Sequence, residues 1–184
     1  MRIGLYFGSF NPIHNGHLAV AQYMINSGVF DCIRFVVSPH NPFKSQDALF
    51  DENLRLNWVK LAISDNNSFE CSDAEFHLPK PSYTINTLEY FLQQEPQHSY
   101  SIIIGSDNLH NIESWQQIET LCEKAAFHVY NRPGADIKLP SFGNFHLHHA
   151  PLIDISATYI RELLREKKST QYLLPDAVRL DIEK

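Results

Sequence analysis

A chain of 184 residues with 43% hydrophobic, 12% aromatic and 20% charged residues has the apolar content to bury a core, which excludes a disordered or low-complexity polymer. At this length one domain is expected, burying roughly 70% of its unfolded surface. A formal net charge of -6 disfavours a broad nucleic-acid surface, because such surfaces neutralise phosphates with clustered Lys and Arg, so any polyanionic ligand must meet a local site.

The opening MRIGLYFG breaks at Gly8 and turns polar by Ser9, too short for a signal peptide or a membrane span, and the expectation is a cytoplasmic protein without membrane attachment. Cys32, Cys71 and Cys122 form no CxxC pair and are read as reduced core residues.

Arg2 to Phe7 (RIGLYF) predicts a strand that runs through Gly8-Ser9-Phe10-Asn11-Pro12 into a helix starting near His14 and stopping at Gly28. Cys32 to Ser38 predicts a second strand, ending in an irregular loop that carries Pro39, Pro42 and Lys44. Leu54 to Ile63 has helical spacing, Phe69 to Ser72 is strand-like, and Thr84 to Leu92 predicts a helix closed by Pro96. Tyr100 to Ile104 is a continuous apolar strand, Ile112 to Leu121 a helix, and Ala126 to Tyr130 and Phe145 to His149 are strands separated by a loop from Arg132 to Gly143. Asp154 to Lys167 supplies a last helix with its entry loop. Strands alternating with helices predict an α/β fold, Rossmann-like and doubly wound, with a mostly parallel sheet covered on both faces and ligands outside the carboxyl ends of its strands.

The first loop has neither the P-loop nor the GxGxxG pattern. It offers His14-Asn15-Gly16-His17, two imidazoles three residues apart at a helix start, where free N–H groups attract phosphate and glycine lets backbone come close. HxxH spacing also suits a metal, but no third ligand stands at supporting spacing, so no metal residue is assigned. Near the other end, Ser156 is placed as an N-cap and Arg161 offers fixed donors for phosphate oxygens. His146, His148 and His149 are read as strand residues without a role.

With these residues the chain resembles the HxGH nucleotidyltransferase superfamily, whose marks are His-x-Gly-His after a Gly-rich first loop and a Ser-x-Thr-x-x-Arg segment, matched by Ser156-Ala157-Thr158-Tyr159-Ile160-Arg161. Within it the chain looks like the bacterial nicotinate-nucleotide adenylyltransferases, with further matches at Pro81-Ser82-Tyr83-Thr84-Ile85-Asn86-Thr87-Leu88, at Gly105-Ser106-Asp107 followed by Trp115, and at Asn131-Arg132-Pro133-Gly134. The resemblance implies transfer of AMP from ATP to nicotinate mononucleotide with release of pyrophosphate, and Mg²⁺ held mainly through ATP phosphates. It places Gly8, Ser9, Phe10, Gly16, Gly105, Asp107, Ser156 and Thr158 around ATP, His14, His17 and Arg161 in catalysis, and Thr84, Trp115 and Lys44 near the mononucleotide. Asn86 and Ala157 depart from the family pattern, which usually has Asp and a second Ser there, and bear on substrate contacts. Three readings compete: a nicotinamide mononucleotide adenylyltransferase, a phosphopantetheine adenylyltransferase, against which Thr84 and Trp115 argue, and a noncatalytic nucleotide sensor, against which His14, His17 and Arg161 argue.

Overall fold

The computed structural model describes residues 1–39, 49–134 and 137–184. Lys44 lies outside them. Six strands, β1 (Arg2–Gly8), β2 (Cys32–Val37), β3 (Phe69–Ser72), β4 (Ser99–Gly105), β5 (Ala126–Tyr130) and β6 (Phe145–His148), pair in the order β3-β2-β1-β4-β5-β6. Every pairing is parallel. The order reverses direction between β1 and β4, where the connections leaving the two strands part and open a crevice at the carboxyl end of the sheet.

Strand residues alternate between two apolar cores, as the two-residue period requires. On one face Tyr6, Phe35 and Ile103 pack against α1 (Asn15–Asn26), α2 (Glu52–Ala62) and α6 (Ala157–Arg165) through Val20, Met24, Val59 and Ile160. On the other, Leu5, Ile102 and Phe127 pack against α4 (Thr84–Gln94) and α5 (Ile118–Lys124) through Leu88, Phe91 and Leu121. A sheet covered on both faces explains why RIGLYF, CIRFVV and YSIII read as nearly unbroken apolar runs.

The helix expected over Ile112 to Leu121 is two pieces. A 3₁₀ helix spans Ser106–Ser114, Trp115 turns to extended backbone (φ -68°, ψ 142°), Gln117 is left-handed (φ 51°), and α5 then begins. The apolar spacing fits a helix, but the break brings Trp115 edge-on to Phe127 with ring centroids 6.2 Å apart. Two helices were not foreseen: the one-turn α3 (Ala74–His77) and α7 (Asp176–Ile182), the latter docked on α2 by Trp58 Nε1 donating to Asp181 Oδ2 at 3.1 Å. All three cysteines are free thiols, but only Cys32 is buried; Cys71 and Cys122 are half-buried.

His128 on β5 is 6% exposed, with its Nδ1 2.8 Å from Nε2 of His148 on β6 and its ring 4.8 Å from that of Phe30. Burial, aided by His148 and His146, pushes its pKa down to about 4. An unfolded histidine titrates near ~6.5, so between that pH and about 4 the unfolded chain binds a proton that the folded chain refuses, and stability falls as the pH drops. His128→Gln should flatten this dependence: urea titrations between these pH values should show a slope shallower by up to ~1.4 kcal/mol per pH unit.

Candidate active site

Chain leaving β1 meets α1 at its N-terminus, where His14 is the N-cap in extended backbone. The His14 backbone N–H donates to Nδ1 of His17 at 3.2 Å, which leaves Nε2 of His17 as the protonated nitrogen of the neutral ring. The two imidazoles stack with centroids 3.7 Å apart. A Cβ on Gly16 would lie 3.0 Å from His14 Nδ1, so any larger residue there would press on the stacked ring. Phe10, 2% exposed, presents its ring edge-on to His17 at 5.1 Å and so supports the imidazole from beneath. His14 is 5% exposed and its Nδ1 has no hydrogen-bond partner. Burial and the nearby Arg132 charge push its pKa down to about 4, so near neutral pH the ring carries one N–H and no net charge.

Opposite this turn, Ser156 caps α6 by accepting from the Tyr159 N–H at 3.1 Å. Arg161, one and a half turns on, donates to the Asn11 carbonyl at 2.9 Å and to Thr158 Oγ1 at 3.1 Å. Thr158 thus orients the guanidinium, which bridges the last helix pair to the first loop. From the third side come Asp107 and Arg132, with Arg132 Nε 3.8 Å from Asp107 Oδ1. The Arg132 N–H donates to Ser106 Oγ at 2.9 Å. An added Cβ on Gly105 would collide with Asp107 Oδ1 and the Arg132 side chain, so glycine at the end of β4 is what lets these two groups approach.

One cavity of about 480 Å³ collects Gly8, Ser9, Phe10, His14, His17, Asp107, Arg132, Ser156, Thr158 and Arg161. Gly16 and Gly105 do not line it; Gly105 lines a neighbouring cavity and Gly16 a small pocket beside His14 and His17. A chain of net charge -6 has here gathered two guanidiniums and the N-termini of α1 and α6 around one space. A second cavity of about 340 Å³ is lined by Ser82, Tyr83, Thr84, Ile104, Trp115 and Glu75. The two share Tyr6, Phe7, Gly8, Asn108 and Tyr130, so they adjoin at the crevice between β1 and β4. Thr84 and Trp115, 31 residues apart in sequence, meet here because Thr84 opens α4 and Trp115 marks the break before α5.

Three residues of this region carried no expectation. Arg132 sat inside a matched segment with nothing in its own spacing to single it out. Glu75 stands in a one-turn helix too short to give a period. Arg55, 1% exposed, donates to the carbonyls of Ser9, Ser38 at 2.9 Å, Pro39 at 3.4 Å and Phe50 at 2.9 Å, tying the first loop to the end of β2. Its partners are main-chain atoms, which leave no mark in sequence.

The cytidylyltransferase-like family model matches residues 5–163, spanning both imidazoles and Arg161. Along nearly its whole length the chain is 46% identical to a protein of Cytophaga hutchinsonii named as a probable nicotinate-nucleotide adenylyltransferase, covering 97% of this chain and 93% of that protein. The chain belongs to the nicotinate-nucleotide adenylyltransferases of the cytidylyltransferase-like family. A Bacteroides fragilis protein of the same name is 44% identical over 180 residues, covering 96% of this chain and 89% of that protein. Two structures of the Plasmodium falciparum nicotinic acid mononucleotide adenylyltransferase, complexed with NaAD and with APC, share the fold. Their TM-scores are 0.82 and 0.80 at 23% and 22% identity, and each match covers 98% of this chain and 93% of that one.

In this adenylyltransferase Arg55 is the internal tie of the first loop. Arg55→Met, which keeps bulk but strands four carbonyls, those of Ser38 and Pro39 in buried surroundings, should lower the unfolding free energy by ~3 kcal/mol, read from urea midpoints at unchanged m-value.

Proposed function

We propose that this chain transfers the AMP moiety of ATP to nicotinate mononucleotide, forming deamido-NAD and releasing pyrophosphate. The observation that carries this reading is the adjoining pair of cavities: one lined by imidazoles, guanidiniums and helix N-termini, the other smaller and walled by an indole. A triphosphate suits the first and a pyridine ring the second. In this reading Gly8, Ser9, Phe10, Gly16, Gly105, Asp107, Ser156 and Thr158 form the ATP site, and His14, His17 and Arg161 act on the reacting phosphates. Thr84 and Trp115 hold the nicotinate nucleotide; Lys44 is proposed beside them.

The mononucleotide's phosphate oxygen attacks the α-phosphorus of ATP in line and pyrophosphate leaves. The nucleophile is already anionic, so no strong base is needed, and the protein acts by positioning and by stabilising charge on the transferred and departing phosphates. Nε2–H of His17 is a donor held by the hydrogen bond on its other nitrogen. A neutral His14 packed against it adds a second dipole without a charge that would have to be desolvated. Among the described residues the phosphate cavity offers one carboxylate, Asp107, amid imidazole and guanidinium donors. That set fits a Mg²⁺ ion held chiefly by phosphate oxygens, with Asp107 as the hard oxygen donor nearby. When bound, Mg²⁺ would neutralise charge on the leaving pyrophosphate.

The test is to incubate the protein with ATP, Mg²⁺ and, in parallel, nicotinate mononucleotide, nicotinamide mononucleotide or phosphopantetheine, and to follow pyrophosphate release and product identity. Fastest turnover with nicotinate mononucleotide is expected; another acceptor in front would overturn the acceptor assignment, and silence with all three the reaction. His17→Ala should reduce kcat by about 100- to 1000-fold with the thermal unfolding midpoint little changed, and near-normal turnover would remove its role. Trp115→Ala should raise the KM for nicotinate mononucleotide by about tenfold, equivalent to ~1.4 kcal/mol of lost ring contact, while the KM for ATP stays close to native in steady-state assays.

A further inference from the structure

The inner wall of the Trp115 cavity holds a carboxyl group that the mechanism above does not use. Glu75 on α3 is 2% exposed and lines the cavity with Ser82, Thr84 and Trp115. Its Oε1 accepts from Thr87 Oγ1 at 3.0 Å, whereas Oε2 is buried with no hydrogen-bond partner. Two further buried atoms without partners, Ser82 Oγ and Trp115 Nε1, line the same cavity. Among the described residues no Lys, Arg, His or Asp lines it.

A carboxylate buried without a counter-charge is strongly disfavoured against the neutral acid. Burial accordingly raises the pKa of Glu75 above the ordinary carboxylate range, while the hydroxyls of Ser38, Thr87 and Ser82 pull in the opposite direction. With Oε1 engaged as an acceptor, the acid's proton belongs on Oε2. A buried O–H donor left without an acceptor inside the protein is completed by one that a ligand brings.

We infer that Glu75 reads the substituent of the pyridine ring: protonated Oε2 donates a hydrogen bond to the carboxylate of nicotinate mononucleotide. The inference rests on the acceptor assigned above. A hydrogen bond to a charged acceptor is stronger than one to a neutral amide, so the acid form favours nicotinate. Once ionised, Glu75 repels a second carboxylate but accepts from the amide of nicotinamide, and the preference shrinks or inverts. The groups facing Glu75 are Ser38 at the end of β2, Ser82 before α4 and Thr87 on α4; the phenols of Tyr6, Tyr83 and Tyr130 line the rest of the cavity. None of these carries a permanent charge that would set the preference in its place.

The experiment compares kcat/KM for nicotinate and nicotinamide mononucleotides from about pH 5, just above the ordinary carboxylate range, to about pH 9 at saturating ATP, in the native enzyme and in Glu75→Gln. Both substrates carry the same phosphate and meet the same histidines, so the ratio isolates the ring substituent. In the native enzyme the ratio should fall by about tenfold or more as Glu75 ionises. In Glu75→Gln, whose amide donates and accepts at every pH, it should be flat. Calorimetry of nicotinate mononucleotide binding, in buffers of different ionisation enthalpy, should show proton uptake by the native enzyme above the pH at which free Glu75 ionises and none by the variant. A native ratio independent of pH, or a variant that follows the native curve, would overturn the inference while leaving the reaction in place. Native binding without proton uptake would do the same even if Glu75→Gln failed to fold. A native enzyme that uses neither pyridine mononucleotide at any pH would overturn the acceptor assignment, and this inference with it.

Discussion

The guanidinium of Arg55 is buried to 1% exposure and spends its donors on four main-chain carbonyls, those of Ser9, Ser38, Pro39 and Phe50. Loops at the carboxyl ends of parallel strands have no ladder of their own to satisfy such carbonyls, and a buried carbonyl without a donor is costly. One rigid planar group meets this need for β1 and β2 together. The position of Ser9 then fixes Phe10, Phe10 supports the His17 ring, and His17 receives the N–H of the helix cap. The imidazole pair is therefore held from below by a residue that lines neither cavity.

Electrostatics in the two cavities divide along the same line. The larger gathers positive potential from Arg132, Arg161 and two helix ends, and one carboxylate, Asp107, tempers it. The smaller holds no Lys, Arg, His or Asp among the described residues, and three of its buried polar atoms, Glu75 Oε2, Ser82 Oγ and Trp115 Nε1, lack partners. A ligand with a highly charged end and a flat, sparsely charged end matches this division. Each end meets groups that folding alone has left unsatisfied.

Sequence carried the sheet because a strand buried on both faces has to be apolar throughout, and it carried the imidazole pair because three residues of helix place two side chains on one face. It carried Gly16 as a motif letter without the reason, which is the His14 ring lying 3.0 Å from where a Cβ would be. What it missed has a common cause. Arg55 looks like a surface residue of an amphipathic helix because its partners are carbonyls drawn from 5 to 46 positions away. The break at Trp115 hides inside Ile112 to Leu121, whose apolar spacing fits a continuous helix although Gln117 is left-handed. In α7 a Pro175-Asp176 start followed by Val178 and Ile182 was a readable signal, but a seven-residue helix supplies barely two turns of period.

The first turn is also fastened to the far end of the chain. Asn15, the variable residue between the two histidines, donates from its backbone to the Leu173 carbonyl at 3.0 Å and from its side chain to the Tyr172 carbonyl at 2.6 Å, and Arg161 reaches Asn11 across 150 positions. During synthesis the turn leaves the ribosome about 150 residues before its fasteners do. The strands can pair and the helices can pack while the cradle is still slack. A nascent chain halted before residue 172 would carry the whole HxGH motif and Arg161 but not the two carbonyls that brace Asn15, so the turn is completed in two stages.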